Sequence, residues 1–194
     1  MGYDPSRIKV TYGGVGDGFG IKKKFKERED VIGYVGSFAV HKRVGRFLKE
    51  RENAQSILKQ YRIELHGSKG VQLHRLQRKY DNRNGVKFCG SLGPDRIVDR
   101  LNSFKAFVSP TAWESYGLPI IEAVACGVPV FVYSDSQITP EVKRYAVEIG
   151  DISEIPLLLE KMNSRRLEEA SLRVRDEFSW DRHFEILLGL YRRL

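Results

Sequence analysis

A chain of 194 residues, 41% hydrophobic and 30% charged, is long enough for one packed domain and too apolar for a disordered tail. The formal net charge of +8 points to an anionic partner, though many proteins this basic bind no polymer; composition leaves nucleic acid, anionic lipid and a phosphorylated small molecule all open. Two cysteines, Cys89 and Cys126, have no metal-ligand spacing and no disulfide framework, and no apolar run is long enough for a membrane-spanning helix.

Both thiols read as buried and reduced, and "MGYDPSRIKV" lacks the apolar stretch of a signal peptide, so the expected location is the cytoplasm. Residues 1–30 read as an irregular, glycine-rich and then basic lead-in. Their glycines at 13, 14, 16, 18 and 20 miss the dinucleotide spacing G-x-G-x-x-G. From residue 31 the chain alternates. "VIGYVG" (31–36) predicts a buried strand, and 43–61 an amphipathic helix with Val44, Phe47, Leu48, Ala54, Ile57 and Leu58 on one side. Strands follow at 62–67, 86–90, 105–110, 128–133 and 146–150. Helices are expected at 70–80, 94–103, 119–126, 153–162, 165–177 and 180–193. Strands alternating with helices imply βαβ units, hence an α/β, Rossmann-like, doubly wound parallel sheet of about six strands. Ligands on such a sheet bind at the carboxyl ends of the strands. Those ends carry "GSFAVHK", "HGSKG", "CGSLG", "SPTAWESYG" and "YSDSQ".

In "WESYGLPIIEAVACGVPV" (113–130), Glu114 and Glu122 flank Gly117-Leu118-Pro119. On one continuous helix, at ~100° per residue, they would point roughly 80° apart. A turn resolves the spacing: with Pro119 opening a helix, Glu114 lies in the loop and Glu122 one turn in. Amides around Gly117, Leu118, Ile120 and Ile121 then form a helix N-terminus suited to a phosphate, beside which Glu122 is placed to accept from sugar hydroxyls. The residues alone equally allow Glu122 to serve only the helix dipole, Glu114 and Lys42 to be solvated, and His66 to be a structural histidine.

"SPTAWESYGLPIIEAVACGVPV" resembles the E-x7-E region of retaining, family-four GT-B glycosyltransferases. "VTYGGVGDGF", "VIGYVGSFAVHKRV", "VKFCGSLGPDRIVDRLNSFKAFVSP" and "FSWDRHFEILLGLYRRL" are similar to other family segments, in the expected order, across residues 10–194. The resemblance implies a single GT-B half-domain that holds a nucleotide-diphosphate sugar: residues 31–178 as the Rossmann-like domain and 179–194 as a closing helix. It implies that Glu122 binds the ribose and that Glu114 orients the donor sugar. Gly117 and Leu118 would hold the diphosphate, Lys42 would stabilise it as the leaving group, and Cys89, Gly90 and Ser91 would meet the base. It implies hexosyl transfer with retention and no metal or other cofactor, and "SDS" (134–136) is not an Asp-x-Asp metal motif. Where the family often has an arginine after the strand-end glycine, Ser37 follows Gly36 here. Diphosphate binding is then expected to be weaker or shared with Arg43, and His66 and Lys69 of "HGSKG" are further candidates. The family's acceptor-binding half has no counterpart in this chain. The implied partners are therefore an acceptor glycan or lipid-linked acceptor, with a partner domain or second copy docked on Trp180, Phe184, Leu187, Leu188 and Tyr191, or those residues fold onto the chain's own sheet. The charge is consistent with work at a membrane surface. A non-catalytic nucleotide-sugar-binding module is the alternative. A nucleic-acid binder is disfavoured, because no such motif is present and the aromatics are not interleaved with "KKKFK" or "RLQRKY".

Overall fold

In the computed structural model, which describes residue 8, residues 10 and 11, and residues 13–192, the apolar run around residue 31 becomes β1 (Glu29–Val35). After it come α1 (Val44–Asn53), β2 (Arg62–His66), α2 (Leu73–Tyr80), β3 (Val86–Gly90), α3 (Pro94–Ser103) and β4 (Phe104–Ser109). The second half supplies β5 (Trp113–Glu114), α4 (Leu118–Ala125), β6 (Val130–Tyr133), β7 (Gln137–Ile138), α5 (Pro140–Lys143) and β8 (Val147–Ile149). Three helices close the described chain: α6 (Ile155–Glu160), α7 (Ser164–Glu177) and α8 (Trp180–Tyr191).

Six strands form one parallel sheet in the order β3-β2-β1-β4-β6-β8. Alternate residues of the strands feed two cores, one on each face, which is why the central strands are largely apolar, while β2 still carries Arg62, Glu64 and His66. Ile32, Leu65, Val108 and Tyr133 join Phe38, Phe47 and Leu58 on one face; Val31, Phe107 and Val132 join Ile121, Val124 and Phe178 on the other. The expected α/β doubly wound sheet is thus what forms. β5 and β7 make a separate two-stranded parallel pair, too short for periodicity to reveal.

Three helices are shorter than their periodicity predicts: α6 covers Ile155–Glu160 of the expected 153–162, after a 3-10 turn over Ile152–Glu154, and the other two are α1 and α2. α1 ends at Asn53, with Ala54 at φ −93°, ψ 25°, and turns carry the chain to Tyr61. Leu58 is still fully buried while Ile57 is exposed, so a turn and a helix satisfy the same apolar pattern. α2 begins at Leu73 because residues 67–72 are bound to the β1 loop: Phe38 N donates to Lys69 O and Gln72 N to Phe38 O.

The lead-in is anchored to the domain at Val15 and Gly20. Val15 N donates to Phe178 O at 2.6 Å, and Asn102 Nδ2 to Gly20 O at 2.9 Å. α8 leaves Trp180, Phe184, Leu188 and Tyr191 between 44% and 69% exposed, so this stripe stays on the surface instead of covering the sheet. Residue 193, the expected end of this helix, lies outside the described residues. Among the described residues no helix is long and apolar enough to cross a membrane.

Candidate functional site

The strand order reverses between β1 and β4: β2 and β3 lie on one side of this pair, β6 and β8 on the other. Loops leaving β1 and β4 therefore part in opposite directions and open a crevice at the carboxyl ends of the strands. The loop after β1 passes Gly36 and Ser37, then forms a 3-10 turn over Val40–Lys42. The loop after β4 carries Trp113 and Glu114. The two are stitched together, with Ala112 N donating to His41 O at 2.6 Å and Thr111 Oγ1 to the same carbonyl at 3.4 Å. Across the seam Lys42 Nζ donates to Glu114 Oε2, and both side chains are less than one-fifth exposed. An ammonium has three donors, so this contact leaves Lys42 two for an incoming anion. Beside the pair the His41 and Trp113 rings stack, 4.3 Å between centroids and 18° between planes, with Trp113 half exposed. Motif reasoning did not find this platform, because neither ring belongs to a spacing pattern.

Glu114 leads into the turn that starts α4. Gly117 caps the helix at φ 92°, in the left-handed region that favours glycine, and its added Cβ would stand 3.4 Å from Glu114 Cγ. Leu118, not Pro119, is the first helical residue. The amides of Ile120 and Ile121 donate back to Gly117 O, so the expectation that they stay open for a phosphate does not hold; among the described residues those of Gly117 and Leu118 have no protein acceptor. Glu122 lies one turn into α4. Among the described residues no group donates a hydrogen bond to its carboxyl, and burial raises its pKa to about 7.

Gly36, Ser37 and Ser91 line a cavity of about 270 Å³ over the ends of β1, β2 and β3, together with Ser68, Lys69 and Ile97. Ser91 Oγ donates to Ser68 Oγ at 2.6 Å across it. Gly90 turns the chain there at φ 70°, and Cys89 is half-buried just below. Ser68 was missed in the sequence, although its strand-end loop "HGSKG" was the available signal. A larger depression of about 750 Å³, lined by Arg144, Glu169, Arg173 and Glu177 among others, draws on none of the strand-end loops that hold Lys42 and Glu114.

Arg43 differs from the other expected ligands. Its backbone is left-handed (φ 47°), and its guanidinium turns away from Lys42 into the framework. It donates to Pro110 O at 3.0 Å, Thr111 O at 2.8 Å, Ser136 Oγ at 3.1 Å and both Asp135 carboxylate oxygens at 2.9 and 3.0 Å. One side chain thus ties the loops after β1, β4 and β6 and fixes the seam on which Lys42 and Glu114 meet. Arg43→Ala is expected to lower stability by about 1–3 kcal/mol by leaving Pro110 O without its donor and untying the three loops, while Thr111 O keeps Ser136 Oγ and Asp135 keeps Arg46. Arg43→Lys should recover little of it, since an ammonium cannot reproduce the fork. Urea unfolding of the two variants checks this, and full recovery by lysine would contradict it.

The profile of the family described as "Glycosyl transferases group 1" matches residues 20–164, a stretch holding every site residue named above. The chain belongs to this family. It is 28% identical over 123 residues to a D-inositol 3-phosphate glycosyltransferase of Acidothermus cellulolyticus, a match covering 56% of this chain and 26% of that protein. To O-antigen chain mannosyltransferase B of Escherichia coli it is 30% identical over 98 residues, covering 49% and 26%. The chain thus matches about a quarter of the length of these curated relatives. Among solved structures it is similar to Anabaena Alr3699/HepE in complex with UDP and glucose, with a TM-score of 0.71 and 16% identity over 96% of this chain and 57% of that one. It also resembles the sucrose-phosphate synthase of Thermosynechococcus elongatus, with a TM-score of 0.68 and 20% identity over 93% and 51%. These likenesses establish the fold as the Rossmann-like half of a GT-B glycosyltransferase.

Proposed function

We propose that the chain is the donor-binding half of a glycosyltransferase that takes a nucleotide-diphosphate sugar and transfers a hexose with retention. The observation that carries this reading is the Lys42–Glu114 pair at the switch point, with the Gly117–Leu118 turn and Glu122 directly behind it in the chain. In this reading Lys42 and the open amides of Gly117 and Leu118 hold the diphosphate and stabilise the charge that develops as the bond from the sugar's anomeric carbon to phosphate breaks. The electron pair of that bond leaves with the diphosphate, and the acceptor hydroxyl, which forms the new bond on the same face, gives up its proton to it. Glu114, held by Lys42, orients the donor sugar, and Glu122 accepts from the ribose hydroxyls. Gly36, Ser37 and Ser91, with the backbone of Cys89 and Gly90, receive the base end of the nucleotide in the cavity over β1–β3, which leaves the Cys89 thiol out of the donor site. With Arg43 engaged elsewhere and Ser37 uncharged, Lys42 is the principal side-chain cation for the diphosphate.

No metal takes part in this scheme, because Lys42 and backbone amides do the work a cation would do. The acceptor, a glycan or a lipid-linked sugar, is held by a separate acceptor-binding domain, and transfer takes place in the cytoplasm or at the membrane surface. A relative named as a mannosyltransferase supports a hexose donor. Calorimetry with UDP-, GDP- and ADP-sugars on the wild type and Lys42→Ala tests the reading. One nucleotide class is expected to bind, and Lys42→Ala to weaken it about 10- to 100-fold, the scale of one charge-assisted contact of 1.5–3 kcal/mol. If no nucleotide sugar binds at millimolar concentration, the donor site is refuted. Tight binding with no transfer by the acceptor-bearing protein would favour the non-catalytic module.

A further inference from the structure

Below the cavity over β1–β3, three side chains that sequence spacing does not connect come together. Glu64 and His66 alternate along β2 and so share a face of the sheet. The β2–β3 register shifts between Leu65 and His66, pairing Leu65 with Phe88 and His66 with Gly90. Cys89 is the extra residue of this bulge, and the bulge brings its thiol to that same face. One ligand atom from each of Glu64, His66 and Cys89 lies within 4.8 Å of the other two.

The histidine makes this more than a coincidence of neighbours. Its side chain is 4% exposed, yet among the described residues neither Nδ1 nor Nε2 has a hydrogen-bond partner. Nε2 approaches Glu64 Oε2 at 3.4 Å, within ion-pair distance but without hydrogen-bond geometry. Buried imidazoles are ordinarily satisfied, so one with two orphaned nitrogens beside a thiol and a carboxylate calls for an explanation. The proposed catalysis does not use it, and its ring packs 5.8 Å from that of Phe104 without engaging either nitrogen.

We propose that Glu64, His66 and Cys89 form a binding site for a thiolate-preferring divalent transition metal, zinc by chemical class, that is structural and separate from the donor site. Nitrogen, sulfur and oxygen donors are the set tetrahedral zinc takes, and three protein ligands leave a fourth position for water. Metal–ligand bonds of about 2.0–2.3 Å require the three atoms to draw together by roughly 1 Å. Binding converts the Cys89 thiol to a metal-bound thiolate and releases its proton.

Charged neighbours fit this assignment. Arg100 of α3 holds Glu64 by Oε2 at 2.7 Å, which leaves Oε1 for the metal and orients the carboxylate as an outer-shell partner does. Glu29 shares the same guanidinium at 3.1 Å and offsets its charge. Because His66 also lines the cavity, a bound metal would fix the wall against which the proposed donor site places the base. The metal assignment itself does not depend on that reading.

Cobalt titration of the reduced, chelator-treated full chain tests it. One Co²⁺ per chain is expected, with a sulfur-to-cobalt charge-transfer band in the near ultraviolet that zinc abolishes on displacement. Cys89→Ser should remove the band, while Cys126→Ser, at the other cysteine, should keep it. His66→Gln should weaken binding by about 10- to 100-fold or more. Zinc should raise the melting temperature of the wild type and leave that of Cys89→Ser unchanged. The absence of a charge-transfer band, or a band that survives Cys89→Ser, overturns the site.

Discussion

Replacing Gly67 with alanine is expected to lower the unfolding free energy by about 3 kcal/mol, the upper end of what overpacking typically costs, and to abolish nucleotide binding in whatever fraction still folds. Gly67 follows β2 directly, where the turns after β1, β2 and β3 are bound edge to edge. Gly36 N donates to His66 O at 2.9 Å, and Gly67 N donates to Gly90 O at 2.8 Å. A Cβ on Gly67 would stand 1.9 Å from Gly36 O, which is backbone and cannot rotate aside. Relief requires the β1 and β2 turns to separate, yet five parallel residue pairs fix these strands side by side. The turns that would separate are the walls of the cavity, so the structural damage and the loss of binding have one cause. Gly45→Ala in α1 is the control: its Cβ would meet only Leu76 Cδ2, at 3.6 Å, and helix propensity favours alanine by about 0.5–1 kcal/mol. Urea unfolding and nucleotide titration of both variants decide the matter. A Gly67→Ala protein as stable as the wild type would refute the backbone contact.

The same residues show how far the sequence could be read. The six strands of the main sheet stand close to their predicted places: β1, β4 and β6 as largely apolar runs, and β2, β3 and β8 as short stretches in which polar residues such as Glu64, Lys87 and Glu148 alternate with apolar ones, both local signals. Lys42 and Glu114 were legible together through the motif, and their ion pair follows from the strand order once β1 and β4 are neighbours. Arg43 was not legible. In "HKR" it reads as one more cation for a phosphate, and its actual partners lie 67 to 93 positions away on two other loops. The left-handed turn that aims it there has no signature in an arginine. Cys89 is a comparable case: alternation alone puts it on the face opposite Phe88, but only the register shift decides which residues of β2 it meets. Non-local register and backbone hand are what single-chain patterning omits, and both decide side-chain roles in this crevice.

Donor affinity is expected to rise about tenfold between pH 6 and pH 8 and then level off, with Glu122 as the group responsible. Burial raises its carboxyl pKa to about 7, from 4.5 for the exposed group. In the ligand-free protein the protonated acid is therefore the favoured form up to near neutrality. A raised carboxyl pKa contributes stability that is fully present below the unfolded value and is lost as pH rises through the folded one. For Glu122 that window runs from about 4.5 to about 7, and the loss amounts to at most about 3 kcal/mol, less any solvent screening of this partly exposed group. Ribose hydroxyls donating to the carboxylate favour the ionised form, so binding expels the proton and is opposed wherever the proton is held tightly. At pH 6, one unit below the pKa, about a tenth of the carboxyls are ionised, which sets the tenfold difference. Burial lowers the pKa of His66, which lines the cavity, from its ordinary value, and Glu122→Gln separates any histidine contribution from that of Glu122. That variant should bind more weakly at pH 8, lose the pH slope and abolish proton release in calorimetry across buffers. It should also make the ligand-free protein more stable than the wild type at pH 8. A slope that persists in Glu122→Gln would move the titration, and with it the ribose contact, to another residue.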